Sequence, residues 1–240
     1  MILTNKNITL IVRQKNRALP LKKFLKLKGF DVLVEPVFKI KAIKHKNINY
    51  KNYSAIMFTS ATTIEILEKE NIDNKFKNIQ TFCVGKVTYE TAIKYGYNCI
   101  KTTANTGQSL EKEIIKFVKP SNNKILIIGG KKIAHNPIAG FNTARLKSER
   151  IIIYDTIPIK NLSKESIEVI KNNRIKNIII YSPETAKTFI NLTKNIDINN
   201  IKIICLGNKT GNIFKKDNWK KIQVVNDTSL KTFANAIIED

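Results

Sequence analysis

The strongest constraint on this chain is an internal repeat. The segment AIMFTSATTIEIL at 55–67 aligns with NIIIYSPETAKTF at 177–189, so that Ser60 falls on Ser182 at an offset of 122 residues. The same offset lays TFCVGKVTYETA at 81–92 on IICLGNKTGNIF at 203–214, pairing Gly85 with Gly207 and Thr88 with Thr210. The serine-to-glycine spacing is 25 residues in both copies. Conserving that spacing across two loops marks a duplicated supersecondary unit. Farther on, GQSLEKEIIKFV and DTSLKTFANAII set Ser109 against Ser229, at an offset two residues shorter. The front of each copy, ITLIVRQKNRALPLKKFLKLKGFDVLVEPVF and KILIIGGKKIAHNPIAGFNTARLKSERIIIYDTI, matches in the order of its elements rather than in identity.

Within the copies, short Ile- and Val-rich runs alternate with stretches of helical period, the pattern of parallel βα units. Strands are expected at about 8–12, 31–34, 54–58, 80–84, 98–101, 124–128, 150–154, 177–181, 201–205 and 222–225. Ten strands exceed one tidy doubly wound sheet, so two sheets of roughly five strands are predicted. The extended tails VEPVFKIKAI at 34–43 and ERIIIYDTIPIK at 149–160 lead into no helix and read as paired linker strands. The expected fold is therefore α/β: two doubly wound parallel-sheet domains joined by a two-stranded antiparallel ladder. One domain is split, 1–36 plus 158–240, and the other is inserted at 40–154, with linkers at about 35–43 and 150–160. Such a pair is expected to hinge.

The opening, MILTNKNITLIVRQK, lacks the order of a signal peptide, and no long uncharged apolar run is present, which predicts a cytoplasmic protein with no membrane partner. Cys83, Cys99 and Cys205 are far apart and read as reduced core residues. The two histidines, His45 and His135, are too distant in sequence to suggest a zinc cluster, so no metal is expected. A net charge of +23 is compatible with nucleic acid, anionic lipid or a polyanionic small molecule. Lysine is spread over patternless faces, and no basic run is interleaved with stacking aromatics, so no nucleic-acid partner is expected.

In doubly wound sheets ligands bind beyond the carboxyl ends of the strands, where helices begin. The repeat puts polar residues there: Ser60 and Ser182 at one pair of turns, Gly85 with Thr88 and Gly207 with Thr210 at the other. Free N–H groups and the positive helix end make each turn a carboxylate or phosphate receptor, and each hydroxyl is equally suited to be a plain N-cap. The loop IIGGKKIAHNPIAG fits neither dinucleotide nor P-loop fingerprints, and no GxSxG elbow surrounds either serine. Tyr154, among apolar linker residues, is open to two readings, proton donor or packing.

Taken in order, Arg13, Gly29, Pro36, FTSATTI, VGKVTYETAIKYGY, IIIYDTIPI, YSPETAKTF and LGNKTGNIF resemble the succession of motifs in the uroporphyrinogen-III synthase family, over nearly the whole chain. The resemblance implies a cofactor-free lyase of heme biosynthesis, acting as a monomer. It would close hydroxymethylbilane, a linear tetrapyrrole with eight carboxylates, into uroporphyrinogen III with ring D inverted, in a cleft between two domains. It further implies that Tyr154 helps the substrate hydroxyl depart. Substrate-binding residues would be Arg13, Ser60, Gly85, Thr88, Lys131, Ser182, Gly207 and Thr210. Two positions depart from the family pattern: its Thr-Arg-Pro is Val12-Arg13-Gln14 here, and Lys131 stands where arginine is frequent. The competing reading is a two-domain protein that senses a small anion without turnover.

Overall fold

The computed structural model describes residues 7–70, 73–198, 200–215 and 219–239. Along the chain run β1 (Ile8–Val12), α1 (Lys15–Leu27), β2 (Asp31–Val34), β3 (Phe38–Ala42), β4 (Tyr53–Phe58), α2 (Ala61–Lys69) and β5 (Gln80–Cys83). Next come α3 (Gly85–Lys94), α4 (Gly107–Phe117), β6 (Lys124–Gly130), α5 (Ile138–Thr143), β7 (Ser148–Pro158) and α6 (Lys164–Lys171). The chain closes with β8 (Ile175–Ile180), α7 (Pro183–Thr193), β9 (Lys202–Leu206), α8 (Asn208–Phe214), β10 (Lys221–Val225) and α9 (Leu230–Ile238). Contacts divide it into one unit of Met1–Lys39 with Pro158–Asp240 and a second of Ile40–Ile157.

The first unit holds a sheet of order β10-β9-β8-β1-β2, and the second a sheet of order β3-β7-β6-β4-β5. The β1–β2, β1–β8, β8–β9, β9–β10, β4–β5, β4–β6 and β6–β7 pairs are parallel. Equating β8 with β4 and β9 with β5, as the repeat requires, makes β1 the counterpart of β6 and β2 of β7. The two sheets then share one plan. The second unit traces it continuously, whereas the first unit's last two strands come from the start of the chain.

Both faces of each sheet are covered, which is why the strands read as unbroken apolar runs rather than as alternation. Leu10 and Val12 point into a core with Ile178, Ile180, Phe189 and Phe214, while Ile11 points to the opposite core with Leu21, Leu25, Ile179 and Phe233. In the second unit Ile56 and Phe58 pack with Leu126 and Ile128, and Ala55 and Met57 with Ile125, Leu110 and Phe141 on the other face. Each such Leu, Ile, Val, Met or Phe side chain contributes about 1.5–3 kcal/mol by leaving water.

The split unit is clasped by a buried carboxylate. Glu35, 4% exposed, accepts from the Ser163 N–H at 3.2 Å and from the hydroxyls of Ser163 and Ser166 at the start of α6. A carboxylate at a helix N-terminus satisfies orphan donors and meets the favourable end of the dipole.

One strand expectation changes, and the expected linker ladder supplies the strand that replaces it. Residues 98–101 do not form a strand: Cys99 makes a single bridge to Thr81, whose N–H donates to Asn98 O at 2.8 Å while Ile100 N–H donates back to Thr81 O. The Thr102 hydroxyl then donates to Cys83 O at 3.2 Å, so a side chain ties the segment to the β5 end. The tenth strand is instead β3, from the first linker tail. Ile43 N–H donates to Ile153 O and Ile159 N–H to Val37 O, so the numbering falls along one tail as it rises along the other, and β3 and β7 run antiparallel. All three cysteines are free thiols; Cys83 and Cys205 are buried, but Cys99 is half-exposed at that edge. Burial pushes the Cys205 thiol up to about 12. Among the described residues no helix is long and apolar enough to cross a membrane.

Candidate functional site

The carboxyl end of the first unit's sheet forms a cavity of about 290 Å³ lined by Val12, Arg13, Gln14, Arg17, Val37, Phe38, Tyr181, Ser182, Thr185 and Leu206. It brings together two residues marked by the sequence, Arg13 and Ser182. Arg13 follows the end of β1, and Gln14 is the N-cap of α1, with its side-chain amide donating to Phe38 O at 2.7 Å. The Arg13 guanidinium carbon lies 3.8 Å from the centroid of the Tyr181 ring, a cation–π contact. Burial and the nearby Arg17 charge lower the Arg13 pKa against the opposing pull of Tyr181, yet arginine stays charged at neutral pH. Burial raises the Tyr181 phenol in turn.

Ser182 is the N-cap of α7. Its Oγ accepts from the Thr185 N–H at 3.2 Å and shares a 2.8 Å hydrogen bond with the Thr185 hydroxyl. Ser60 does the same for α2, accepting from the Thr62 N–H at 3.2 Å. Both serine oxygens therefore hold helix starts, the plain role open to them in the sequence. Gly85 and Gly207 adopt φ of +70° and +75°, a region that strains residues with a side chain. Their N–H groups are also used alike: Gly85 donates to Ala104 O and Gly207 to Val225 O. Thr88 and Thr210, 6% and 1% exposed, sit inside the first turns of α3 and α8 and are buried.

In the second unit Tyr154 is 8% exposed, in the core with Phe58, Ile128 and Ile153. Its ring lies over Gly130, where an added Cβ would come within 2.8 Å of Cε2 and Cζ and 3.1 Å of the phenol oxygen. Lys131 N–H donates to Tyr154 O at 2.8 Å, and Lys131 Nζ is 3.9 Å from Asp155 Oδ2. The turn is tied down by Arg150, whose guanidinium donates to Gly130 O at 2.8 Å and Lys131 O at 2.9 Å. Gly85 lies apart from these, in a cavity of about 400 Å³ with Lys86, Tyr89, Lys101, Thr102 and Asn105. Arg17 and Arg150 were missed in the sequence, whereas Tyr181 was seen only as the strand end before Ser182. Arg17 carried a signal, four residues beyond Arg13 in a basic helix start; Arg150 carried none. Among the described residues no three His, Cys, Asp or Glu side chains gather as metal ligands would.

The family model described as uroporphyrinogen-III synthase HemD matches residues 20–232. A porphyrin biosynthesis protein HemD of Ruminiclostridium josui is 24% identical over 212 residues, covering 86% of this chain and 42% of that protein. The chain thus spans well under half the length of this relative. A Methanocaldococcus jannaschii protein named for uroporphyrinogen-III synthase is 27% identical over 230 residues, covering 88% of this chain and 90% of its own length. The crystal structure of uroporphyrinogen-III synthetase from Helicobacter pylori superposes with a TM-score of 0.67 at 14% identity, over 97% of this chain and 98% of that one, which establishes a shared fold. With a family match of this extent, the chain belongs to the uroporphyrinogen-III synthase family.

Proposed function

We propose that this protein is a uroporphyrinogen-III synthase, a cyclising hydro-lyase that converts hydroxymethylbilane to uroporphyrinogen III with inversion of ring D. The observation that carries this reading is the family match over residues 20–232. The chemistry asks little of a cofactor. Loss of the terminal hydroxyl leaves an electrophilic azafulvene, whose attack at the substituted carbon of the last pyrrole gives a spiro intermediate that fragments and recloses with that ring turned over. What the protein supplies is conformation, since spontaneous closure gives the uninverted ring. Holding a flexible polyanion in the rarer geometry is catalysis by positioning.

In this reading the Tyr154 phenol donates a proton to the departing hydroxyl. A ring fixed against Gly130, on a turn braced by Arg150, suits a donor that must not wander. Arg13, Lys131 and the N–H groups of the turns begun by Ser60, Gly85, Ser182 and Gly207 receive carboxylates, while Thr88 and Thr210 act indirectly by packing those turns. The protein acts as a monomer in the cytoplasm. Incubation with hydroxymethylbilane followed by separation of product isomers tests this: uroporphyrinogen III in excess over a protein-free blank is expected, and only the uninverted isomer sinks the reading.

A further inference from the structure

We propose that Arg13 and Arg17 together form a receptor for two adjacent carboxylates on one ring of the substrate, and that Tyr181 is the residue that positions Arg13. This deepens the reading of the chain as a tetrapyrrole-cyclising enzyme and rests on it for the identity of the substrate. Arg13 and Arg17 both line one cavity of about 290 Å³, with Gln14, Ser182 and Thr185 as neutral polar neighbours and Val12, Val37 and Leu206 as apolar ones. Burial is what chiefly lowers the Arg13 pKa, and the like charge of Arg17 adds a smaller push in the same direction. A dianion in the cavity offsets both effects, so the ligand that fits best carries two negative groups close together. The volume equals roughly ten waters, enough for one substituted ring. Guanidinium forks match carboxylates two bonds at a time, which a lysine at either position does not.

Tyr181 makes the arrangement directional. Its ring holds the Arg13 guanidinium at 3.8 Å, and Phe233 backs that ring at 4.8 Å between centroids, so the aromatic plane is itself fixed by the core. Gln14 anchors the α1 start through Phe38 O, setting where Arg17 emerges one turn later.

The test compares two soluble probes. Uroporphyrin carries an acetate and a propionate side by side on every ring, whereas coproporphyrin carries propionates flanked by methyl groups. Arg17→Gln is expected to weaken uroporphyrin binding on the order of 10–100-fold, with little change for coproporphyrin, and to raise KM for hydroxymethylbilane more than it lowers kcat. Tyr181→Leu is expected to reproduce the binding loss of Arg13→Gln, and Tyr181→Phe, which keeps the ring, to restore most of it. Unchanged uroporphyrin binding in Arg17→Gln overturns the receptor, and so does an equal loss for both probes, which would mark a general charge effect. A Tyr181→Leu protein that binds as wild type overturns the positioning role. Failure of the functional reading looks different: wild-type protein then yields no inverted isomer, whatever the probes do.

Discussion

The same strand end is built in opposite ways in the two units. Val12 pairs with Ile180 in the first sheet and Ile128 with Phe58 in the second, and the repeat equates Ile180 with Phe58. Register therefore puts Gly129 where the first unit has Arg13, and Thr59 where it has Tyr181. The first unit fills the position with a guanidinium on an aromatic ring. The second leaves it bare: a Cβ at Gly129 would meet the hydroxyls of Thr63 at 3.4 Å and Thr59 at 3.9 Å, and the next glycine accepts the Tyr154 ring. One copy carries a cation on an aromatic ring and the other a glycine pair that seats a phenol, so matched positions of a duplicated scaffold hold different side chains; under the proposed function the first would bind and the second would do chemistry.

That division is broken most severely at the phenol. General acids contribute about 10²–10⁴-fold, so Tyr154→Phe is expected to slow turnover by roughly 100-fold or more while leaving the melting temperature close to wild type. Gly130→Ala should approach the same rate loss with tyrosine intact, because its Cβ displaces the ring, and should also cost about 1–3 kcal/mol of stability from overpacking. Steady-state kinetics beside denaturant unfolding separates the two effects. A Gly130→Ala enzyme of normal rate would show that the ring's seat is irrelevant to the reaction.

A second contrast concerns continuity. The second unit is one stretch of chain, while the first must bind its opening segment to residues beyond 158, and Glu35 reaches across to Ser163 and Ser166. Glu35→Ala leaves the start of α6 short of an acceptor and is expected to lower unfolding stability by about 1–3 kcal/mol. Equilibrium urea unfolding reads this directly, and an unchanged midpoint would mean the clasp is redundant.

Much of this was legible in the sequence because burial on both faces writes strands as plain apolar runs, and the shared 25-residue spacing exposed the duplication. The edge was not. Asn98-Cys99-Ile100-Lys101 looks like the counterpart of β10, but only Cys99 bridges, and beyond it the chain is tied to the β5 end by the Thr102 side chain on Cys83 O. At the site, Arg13 and Ser182, beyond the ends of the neighbouring strands β1 and β8, line one cavity, whereas Thr88 and Thr210 are buried, because sequence gives a helix start but not the direction of its side chains. The role of Gly130 lay beyond reach, as it depends on a ring contributed by a neighbouring strand.

The matched glycines sharpen the comparison at smaller cost. Gly85 and Gly207 share positive φ, and an added Cβ meets nothing within 4 Å at either, so alanine there tests backbone strain alone. Each substitution is expected to cost about 1–3 kcal/mol, by similar amounts in the two units. Thermal unfolding of the two variants side by side checks this, and a large inequality would show that the turns are not equivalent despite their common hydrogen bonding.

The smallest effect belongs to the serines. Ser60→Ala and Ser182→Ala each remove a side-chain acceptor from a helix start, worth typically about 1 kcal/mol. The two should not be equal. Ser182 is bonded both to the Thr185 N–H and to the Thr185 hydroxyl, in a turn that begins with Pro183 and lines the Arg13 cavity. Its loss frees Thr185 to reorient toward the cavity, so Ser182→Ala is expected to shift KM as well as stability. Ser60, which caps the α2 start through the Thr62 N–H, should register mainly in stability. Measuring both quantities in both variants distinguishes a pair of interchangeable caps, which would move together, from a first-unit turn that caps its helix and also shapes the wall of the anion receptor.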